Sequence, residues 1–132
     1  MAILTKNNRY LDLDLNFAAH PVTGDIVKVK DEKAVIASIG NLIQTNFFER
    51  LFNPDLGCDI KQYLFDPIDL ITSIKLEDSL RLVISRYEPR ASIQELRVTP
   101  NFDSERYDIS LTLVINNLTD PFTIDFFLER IR

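Results

Sequence analysis

The sequence predicts one α+β domain, in which two main helices pack on an antiparallel sheet with a C-terminal three-stranded meander and an N-terminal strand or hairpin. Three features support this fold class: an alternating segment near the start, two segments with apolar residues at helical spacing, and a C-terminal third in which apolar and polar residues alternate. The 132 residues can bury about two-thirds of their surface in one core, so we expect residues 1–132 to form a single domain.

The N-terminal segment is expected to form a hairpin-like unit. Leucine at every second position of residues 11–15 alternates with polar residues, which indicates a strand with one face in water. Pro21 and Gly24 favour a turn, and residues 26–30, directly after it, have strong β propensity.

The first main helix is predicted over residues 32–46. Asp31 is a good N-cap residue for it, and Glu32 lies near the positive end of the helix dipole. Residues 47–59 are then expected to form an ordered loop, because proline and glycine interrupt any period there. The inward stripe predicted for the helix is Val35, Ile36, Ile39, Leu42 and Ile43.

The longest helix is predicted over residues 70–87, with Asp69 as its N-cap. Pro89 is expected to end it, because proline forces the preceding Glu88 out of the helical region. A short helical turn before it, capped by Asp59, is expected to run through Phe65. The inward stripe predicted for the long helix is Leu70, Ile71, Ile74, Leu80, Val83, Ile84 and Tyr87.

The last third of the chain is predicted to be the antiparallel meander. Its strands are expected around residues 92–99, 106–116 and 122–128, with a turn over 117–121. The inward residues predicted for the last two strands are Tyr107, Ile109, Leu111, Leu113, Ile115, Phe122, Ile124, Phe126 and Leu128.

Composition argues against several classes of partner. The net charge of −5 opposes binding to nucleic-acid backbones and to anionic membranes, which need a basic face. No apolar run approaches the roughly 18 residues of a membrane-spanning helix. The single Cys58 cannot form an internal disulfide, and the first residues do not resemble a secretory signal, so we expect synthesis in a reducing cytoplasm.

Catalytic and cofactor motifs are weak in this sequence. Asp12 and Asp14 form a D-x-D pattern, which is more simply the wet face of a strand than a metal site. His20 is expected to be a surface turn residue and Cys58 a small buried hydrophobe, so neither predicts a catalytic centre. No cofactor is expected. Paired carboxylates for glycoside cleavage keep a peptidoglycan-cleaving enzyme open as an alternative, with Glu49, Asp55, Asp59, Asp66 and Glu88 as the available acids.

The more specific signal is Tyr87-Glu88-Pro89-Arg90, at the predicted end of the long helix. Because proline makes this exit rigid, Glu88 and Arg90 can present an acceptor and a planar fork of donors to another chain. The alternative is an internal pair, in which Arg90 bonds Glu88, a loop acid or the last helical carbonyls. If the corner binds a partner, Arg90→Ala should leave the monomer folded and stop assembly.

Several motifs, in order along nearly the whole chain, resemble the small baseplate wedge proteins of contractile-tailed phages. That family includes the T-even phage wedge subunit often catalogued as an acidic lysozyme and the TssE component of type VI secretion systems. The matching segments are DLDLNF at 12–17, PVTGD at 21–25, DEKAV at 31–35, NLIQTNFFERLFNPDLGC at 41–58, LF at 64–65 and, above all, YEPR at 87–90.

The resemblance implies a structural role in the virion tail baseplate. As a member of this family, the protein would lie in the inner baseplate beside the tail tube and would dock onto the helical core bundle of the larger wedge proteins through Glu88, Pro89 and Arg90. It would also start tail sheath assembly by offering sheet edges to sheath arms. Phe127 and Ile131 would give such an edge apolar anchors, unless the chain's own termini bury them.

The same resemblance leaves a type VI secretion baseplate component open as an alternative to a phage tail. It also marks one departure, since many relatives carry glycine where this chain has Phe48.

Overall fold

The computed structural model describes residues 10–116, 118 and 120–131, and it confirms the α+β class. Its compact units comprise residues 1–37 and 38–132, so the boundary falls inside the first helix. One domain over the whole chain stays a prediction. The elements are β1 (Leu11–Leu13), β2 (Lys28–Lys30), α1 (Glu32–Gln44), α2 (Ile60–Phe65), α3 (Leu70–Tyr87), β3 (Ala91–Asn101), β4 (Arg106–Ile115) and β5 (Phe122–Glu129).

The first unit contains the predicted hairpin. β1 and β2 pair antiparallel, with Leu11 opposite Lys30, and Gly24 adopts a φ of +69° in the turn between them. The strands have three residues each and are shorter than predicted. The expectation of an apolar face turned away from water is wrong, because Leu11, Leu13 and Leu15 are all exposed. A two-stranded ribbon has too little surface to bury a face by itself.

The helix α1 begins directly after Asp31, as predicted, and ends two residues early, at Gln44. The Asp31 carbonyl accepts the Val35 N–H at 3.1 Å, while its carboxylate accepts the Tyr10 N–H at 3.3 Å. Val35 and Ile39 are buried as expected, but Ile36 is exposed. Consecutive residues of a helix are separated by about 100° around its axis. Ile36 therefore points away from the buried face that carries Val35.

The second unit contains the meander, in the strand order β3-β4-β5. The register pairs Ala91 with Ile115 at one end and Asn101 with Arg106 at the other, with a bulge between Ile93 and Glu95. Every second residue of β4 is buried, as the alternation predicted, and the intervening side chains face outward. The helix α3 packs on β3.

The helix α3 has the predicted bounds and the predicted cap, because the Asp69 carboxylate accepts the Thr72 N–H at 2.5 Å. Its buried stripe agrees with the prediction in the second half only. Leu70, Ile71 and Ile74 are exposed, whereas Thr72, Ser73 and Leu76 are buried.

The buried face of α3 continues back from Leu80 in steps of four residues, to Leu76 and Thr72. The polar Ser73 is tolerated on this face because its hydroxyl donates to the Leu70 carbonyl at 2.7 Å. The helix α2 follows Asp59 as expected, although no side-chain hydrogen bond from Asp59 caps it. Among the described residues, no helix combines the length and apolar character that a membrane crossing requires.

Candidate functional site

The corner between α3 and β3 is fixed by backbone geometry. The Glu88 N–H still bonds the Ile84 carbonyl at 2.9 Å, but its φ and ψ of −121° and 72° have left the helix, as the following Pro89 requires. The strand β3 begins two residues after Pro89. The predicted end of the helix is therefore confirmed.

The carboxylate of Glu88 and the guanidinium of Arg90 form a bidentate pair across this corner. Arg90 Nε donates to Oε1 at 2.6 Å and Nη2 donates to Oε2 at 2.7 Å. Glu88 is only 1% exposed, whereas the Arg90 side chain is 26% exposed. A charged pair with this parallel geometry is among the stronger hydrogen-bonded arrangements in proteins.

The environment of Glu88 keeps its carboxylate ionised. Burial alone would raise the pKa of Glu88, but hydrogen bonds from Arg90 and Ser38 and the charge of Arg90 together lower it below the ordinary value. A general acid for glycoside cleavage needs the opposite shift, a raised pKa. Glu88 is therefore poorly suited to the acid role in the enzymatic alternative.

Of the two arrangements that the sequence left open for the corner, the structure has the internal pair. Glu88 is not presented outward, so the surface of the corner consists of Pro89, which is exposed, and the outer part of Arg90. Docking through these residues stays a prediction, in which Glu88 acts by positioning Arg90.

Sequence reasoning missed a second support for the corner, Asn116. Its side-chain amide donates to the Pro89 carbonyl at 2.7 Å, and its backbone N–H donates to the Arg90 carbonyl at 2.9 Å. The only sequence signal was an amide residue placed directly after the last inward residue of a predicted strand. Asn116 thus ties the corner to the end of β4.

The loop that precedes α2 is joined to the end of α3 beside this corner. Tyr87 Oη donates to the Asp55 carbonyl at 2.6 Å, which joins the loop to the last residue of α3. Phe48 adopts a φ of +65°, a left-handed conformation that glycine accepts without strain. Glycine would therefore fit this position with less strain than phenylalanine does.

The two remaining sequence candidates lie at the other end of the sheet. Phe127 points outward, as predicted, and is paired in register with Asp108; the guanidinium carbon of Arg106 lies 4.9 Å from its ring centre. Ile131 is half-buried, and its N–H donates to the Leu64 carbonyl at 2.9 Å. The structure does not bring either residue together with the corner, and their role as anchors stays a prediction.

The weaker chemical candidates have ordinary surroundings. His20 lies in a turn, where Nδ1 accepts the Val22 N–H at 3.3 Å, and Cys58 is buried, which raises the pKa of its thiol. Asp14 accepts the N–H of Asn16 at 3.0 Å. Across residues 10–116, 118 and 120–131, no three His, Cys, Asp or Glu side chains group closely enough to hold a metal ion.

Small proteins of contractile-tail baseplates have the same fold as this chain. It matches a chain of the anti-feeding prophage baseplate with a TM-score of 0.72 and 21% identity, over 84% of this chain and 89% of that one. A chain of the postcontracted pyocin R2 baseplate matches with a TM-score of 0.63 and 18% identity, over 81% of this chain and 99% of that one. A putative tail lysozyme from Geobacter sulfurreducens matches with a TM-score of 0.69 and 22% identity, over 76% of this chain and 92% of that one.

Comparison of sequences identifies the family more specifically than comparison of folds does. The model of the family described as baseplate wedge protein gp25 matches residues 29–118, and the chain belongs to that family. Baseplate wedge protein gp25 of Enterobacteria phage T4 is 26% identical over 97 residues, which are 73% of this chain and 74% of that protein. The family resemblance predicted from the motifs is confirmed.

Proposed function

We propose that this protein is a structural subunit of a contractile tail baseplate wedge in the virion, which docks onto other wedge proteins through the Glu88-Pro89-Arg90 corner. The observation that carries the proposal is the bidentate pair, which fixes the Arg90 guanidinium beside an exposed Pro89 at a rigid exit from α3. Membership of the baseplate wedge family supports the assembly role.

The corner suits docking because most of the ordering cost is met before the partner arrives. Arginine side chains normally lose substantial rotamer freedom on binding. Here Glu88 and the two hydrogen bonds from Asn116, one from its side-chain amide and one from its backbone N–H, already hold the corner in one conformation. Preorganisation of this kind increases affinity without adding a contact. We propose that the partner is the helical core bundle of the larger wedge proteins.

The docking proposal is tested with the double variant Glu88→Gln, Arg90→Gln. Two amides can still hydrogen-bond to one another, so we expect the monomer to stay folded while the guanidinium charge is lost. We expect the affinity of the chain for its wedge partner to fall about 100-fold, because charged pairs in an interface contribute a few kcal/mol. The measurement is the affinity of co-assembly with the larger wedge proteins of its baseplate, and unchanged affinity in the folded variant would contradict docking.

We further propose that the free edge of β5 receives an extended arm of the tail sheath protein and so starts sheath assembly. In the described part of the chain β5 pairs only with β4, which leaves one row of its backbone groups without a strand partner. An added strand would bond that row, and Phe127 and Ile131 would supply apolar contacts. The tail tube is a neighbour in this arrangement rather than the main partner.

Amide hydrogen exchange tests the edge proposal. We expect backbone amides in residues 122–129 to exchange at least about tenfold more slowly when sheath protein is added, because new ladder bonds protect them. The buried strand β4, already paired on both sides, provides the internal control and should change little. Protection elsewhere with none in β5 would contradict the proposal.

A further inference from the structure

The loop before α2 holds three large apolar side chains in water. Phe48, Leu51 and Phe52, together called the apolar knob, are 80%, 92% and 101% exposed. Leu51 and Phe52 are the two most exposed large hydrophobic residues in the described part of the chain. Single exposed hydrophobic residues are ordinary, but a cluster on one short loop marks an interaction surface.

The loop that carries the apolar knob is closed by backbone hydrogen bonds. The Cys58 N–H donates to the Thr45 carbonyl at 2.8 Å at its base, and the Phe48 N–H donates to the Pro54 carbonyl at 2.9 Å across it. Its narrowest point is Gly57, with a φ of +136°. There, an added Cβ would lie 2.6 Å from the Thr45 oxygen.

These constraints prevent the knob from folding back onto the protein. A flexible loop with the same composition would reduce its exposed apolar area by collapse, since burial of apolar surface is favourable. A fixed loop keeps the area available, so a partner that covers it gains the full hydrophobic free energy with little ordering cost. Exposure and rigidity together therefore indicate a binding element.

The charge of the knob segment favours a protein partner over a lipid surface. Residues 47–57 contain one cation, Arg50, against the acids Glu49 and Asp55, and the whole chain carries a net charge of −5. Loops that insert into anionic membranes are normally flanked by several basic residues. A symmetric contact with a second copy through the knob alone is also disfavoured, because two protruding loops would then meet with no groove to receive either.

The position of the knob identifies which protein partner it fits. Aromatic side chains bury about 150–250 Å² each, so the two phenylalanines and the smaller Leu51 together cover less than the roughly 800 Å² per partner of a stable interface. The contact must therefore continue onto neighbouring surface. The hydrogen bond from Tyr87 to Asp55 places the corner, Pro89 and Arg90, next to the loop.

We propose that the apolar knob inserts into an apolar groove of the same wedge partner that the corner contacts, and that it provides the hydrophobic centre of that interface. This inference rests on the proposed docking function. The corner then supplies the charged contact and the knob the burial, which is the usual division between the rim and the core of an interface.

The test compares Phe52→Asp with Phe102→Asp, a matched substitution of an exposed phenylalanine in the turn between β3 and β4. The full chain is titrated by calorimetry into the complex of the larger wedge proteins of its baseplate. We expect Phe52→Asp to weaken binding by about 30-fold, the effect of removing a hot-spot residue, and Phe102→Asp to change it less than about twofold. Both variants should keep the wild-type circular dichroism spectrum.

Comparison with the Glu88→Gln, Arg90→Gln variant separates the two proposals. Loss of binding in the double variant with normal binding of Phe52→Asp overturns the knob alone. The reverse result overturns docking by the corner and leaves the knob, and normal binding in both overturns the two together. Two further measurements on the wild type test other partners: flotation with vesicles of phosphatidylcholine and phosphatidylglycerol, and light scattering for a dimer. If Phe52→Asp abolishes flotation, the partner of the knob is a membrane and not a wedge protein. If it abolishes a dimer, the partner is a second copy of the chain.

Discussion

Replacing Arg90 with alanine is expected to lower the free energy of unfolding by about 3 kcal/mol at neutral pH. The substitution removes the two guanidinium donors and the positive charge that face the Glu88 carboxylate, and Glu88 is 1% exposed. A buried charge without its partner keeps the cost of desolvation and loses the compensating attraction. Urea denaturation of the wild type and the variant measures the difference.

The pH dependence of this difference provides a second check. In the wild type, the pKa of Glu88 lies below its unfolded value, so the pair stabilises the protein above that value and the effect is lost as the pH falls through the folded pKa. In Arg90→Ala, burial remains and raises the pKa of Glu88, so protonation relieves the penalty. We expect the stability deficit of the variant to shrink as the solution is acidified.

The chain contains a matched control for this prediction. Arg97 Nε donates to Glu95 Oε1 at the same 2.6 Å and the same sequence spacing, but the two side chains are 74% and 55% exposed. Exposed ion pairs contribute little, so Arg97→Ala should cost less than about 1 kcal/mol. Equal effects of the two substitutions would show that burial of Glu88 does not control the energetics of the corner.

This result changes how docking can be tested. Sequence alone predicted that Arg90→Ala would stop assembly and leave the monomer folded. Because Glu88 is buried under Arg90, the same substitution also weakens the fold, and a loss of assembly would have two causes. The paired glutamine variant avoids this difficulty, since it removes both charges together.

Substituting Gly57 with alanine is expected to lower the free energy of unfolding by about 3 kcal/mol, the upper end of the range for a strained backbone position. The φ of +136° is costly for any residue with a side chain, and the new Cβ would lie 2.6 Å from the Thr45 oxygen and 2.9 Å from the Asn46 carbonyl carbon. Both are backbone atoms, so no side-chain movement relieves the contact. Thermal and chemical denaturation measure the loss.

The control for this second prediction is Gly40→Ala. Gly40 lies inside α1, and a Cβ built there meets nothing within 4 Å. Alanine is the better helix former, so the same substitution should raise stability by about 0.5–1 kcal/mol. If both variants lose stability by similar amounts, the close approach at Gly57 is not the cause.

Sequence patterns correctly predicted the elements that depend only on residues close to them in the chain. The alternation in β4, the Asp69 cap and the end of α3 at Pro89 all depend on neighbours a few residues away, and all three are confirmed. The buried face in the first half of α3 was predicted wrongly because the most hydrophobic residues there, such as Leu70 and Ile71, are not the ones in line with Leu80.

The candidate site depended on contacts that the sequence does not show. Whether Glu88 and Arg90 bond each other or another chain depends on contacts with residues distant in sequence, such as Ser38 in α1, which hydrogen-bonds Glu88. The apolar knob was missed for a similar reason. Its loop takes its shape from the Tyr87 and Cys58 hydrogen bonds, which join residues far apart or with no periodic relation in the sequence.

The amide of Asn116 has a mechanical consequence for a protein in a contracting machine. A pull applied at Pro89 and Arg90 acts on the start of β3 and, through the two Asn116 bonds, on the end of β4 at the same time. In the antiparallel register these two strand ends lie side by side at one end of a ladder of ten paired positions, so a pull that both strands share does not draw Ala91 away from Ile115, and the ladder is not peeled open one pair at a time.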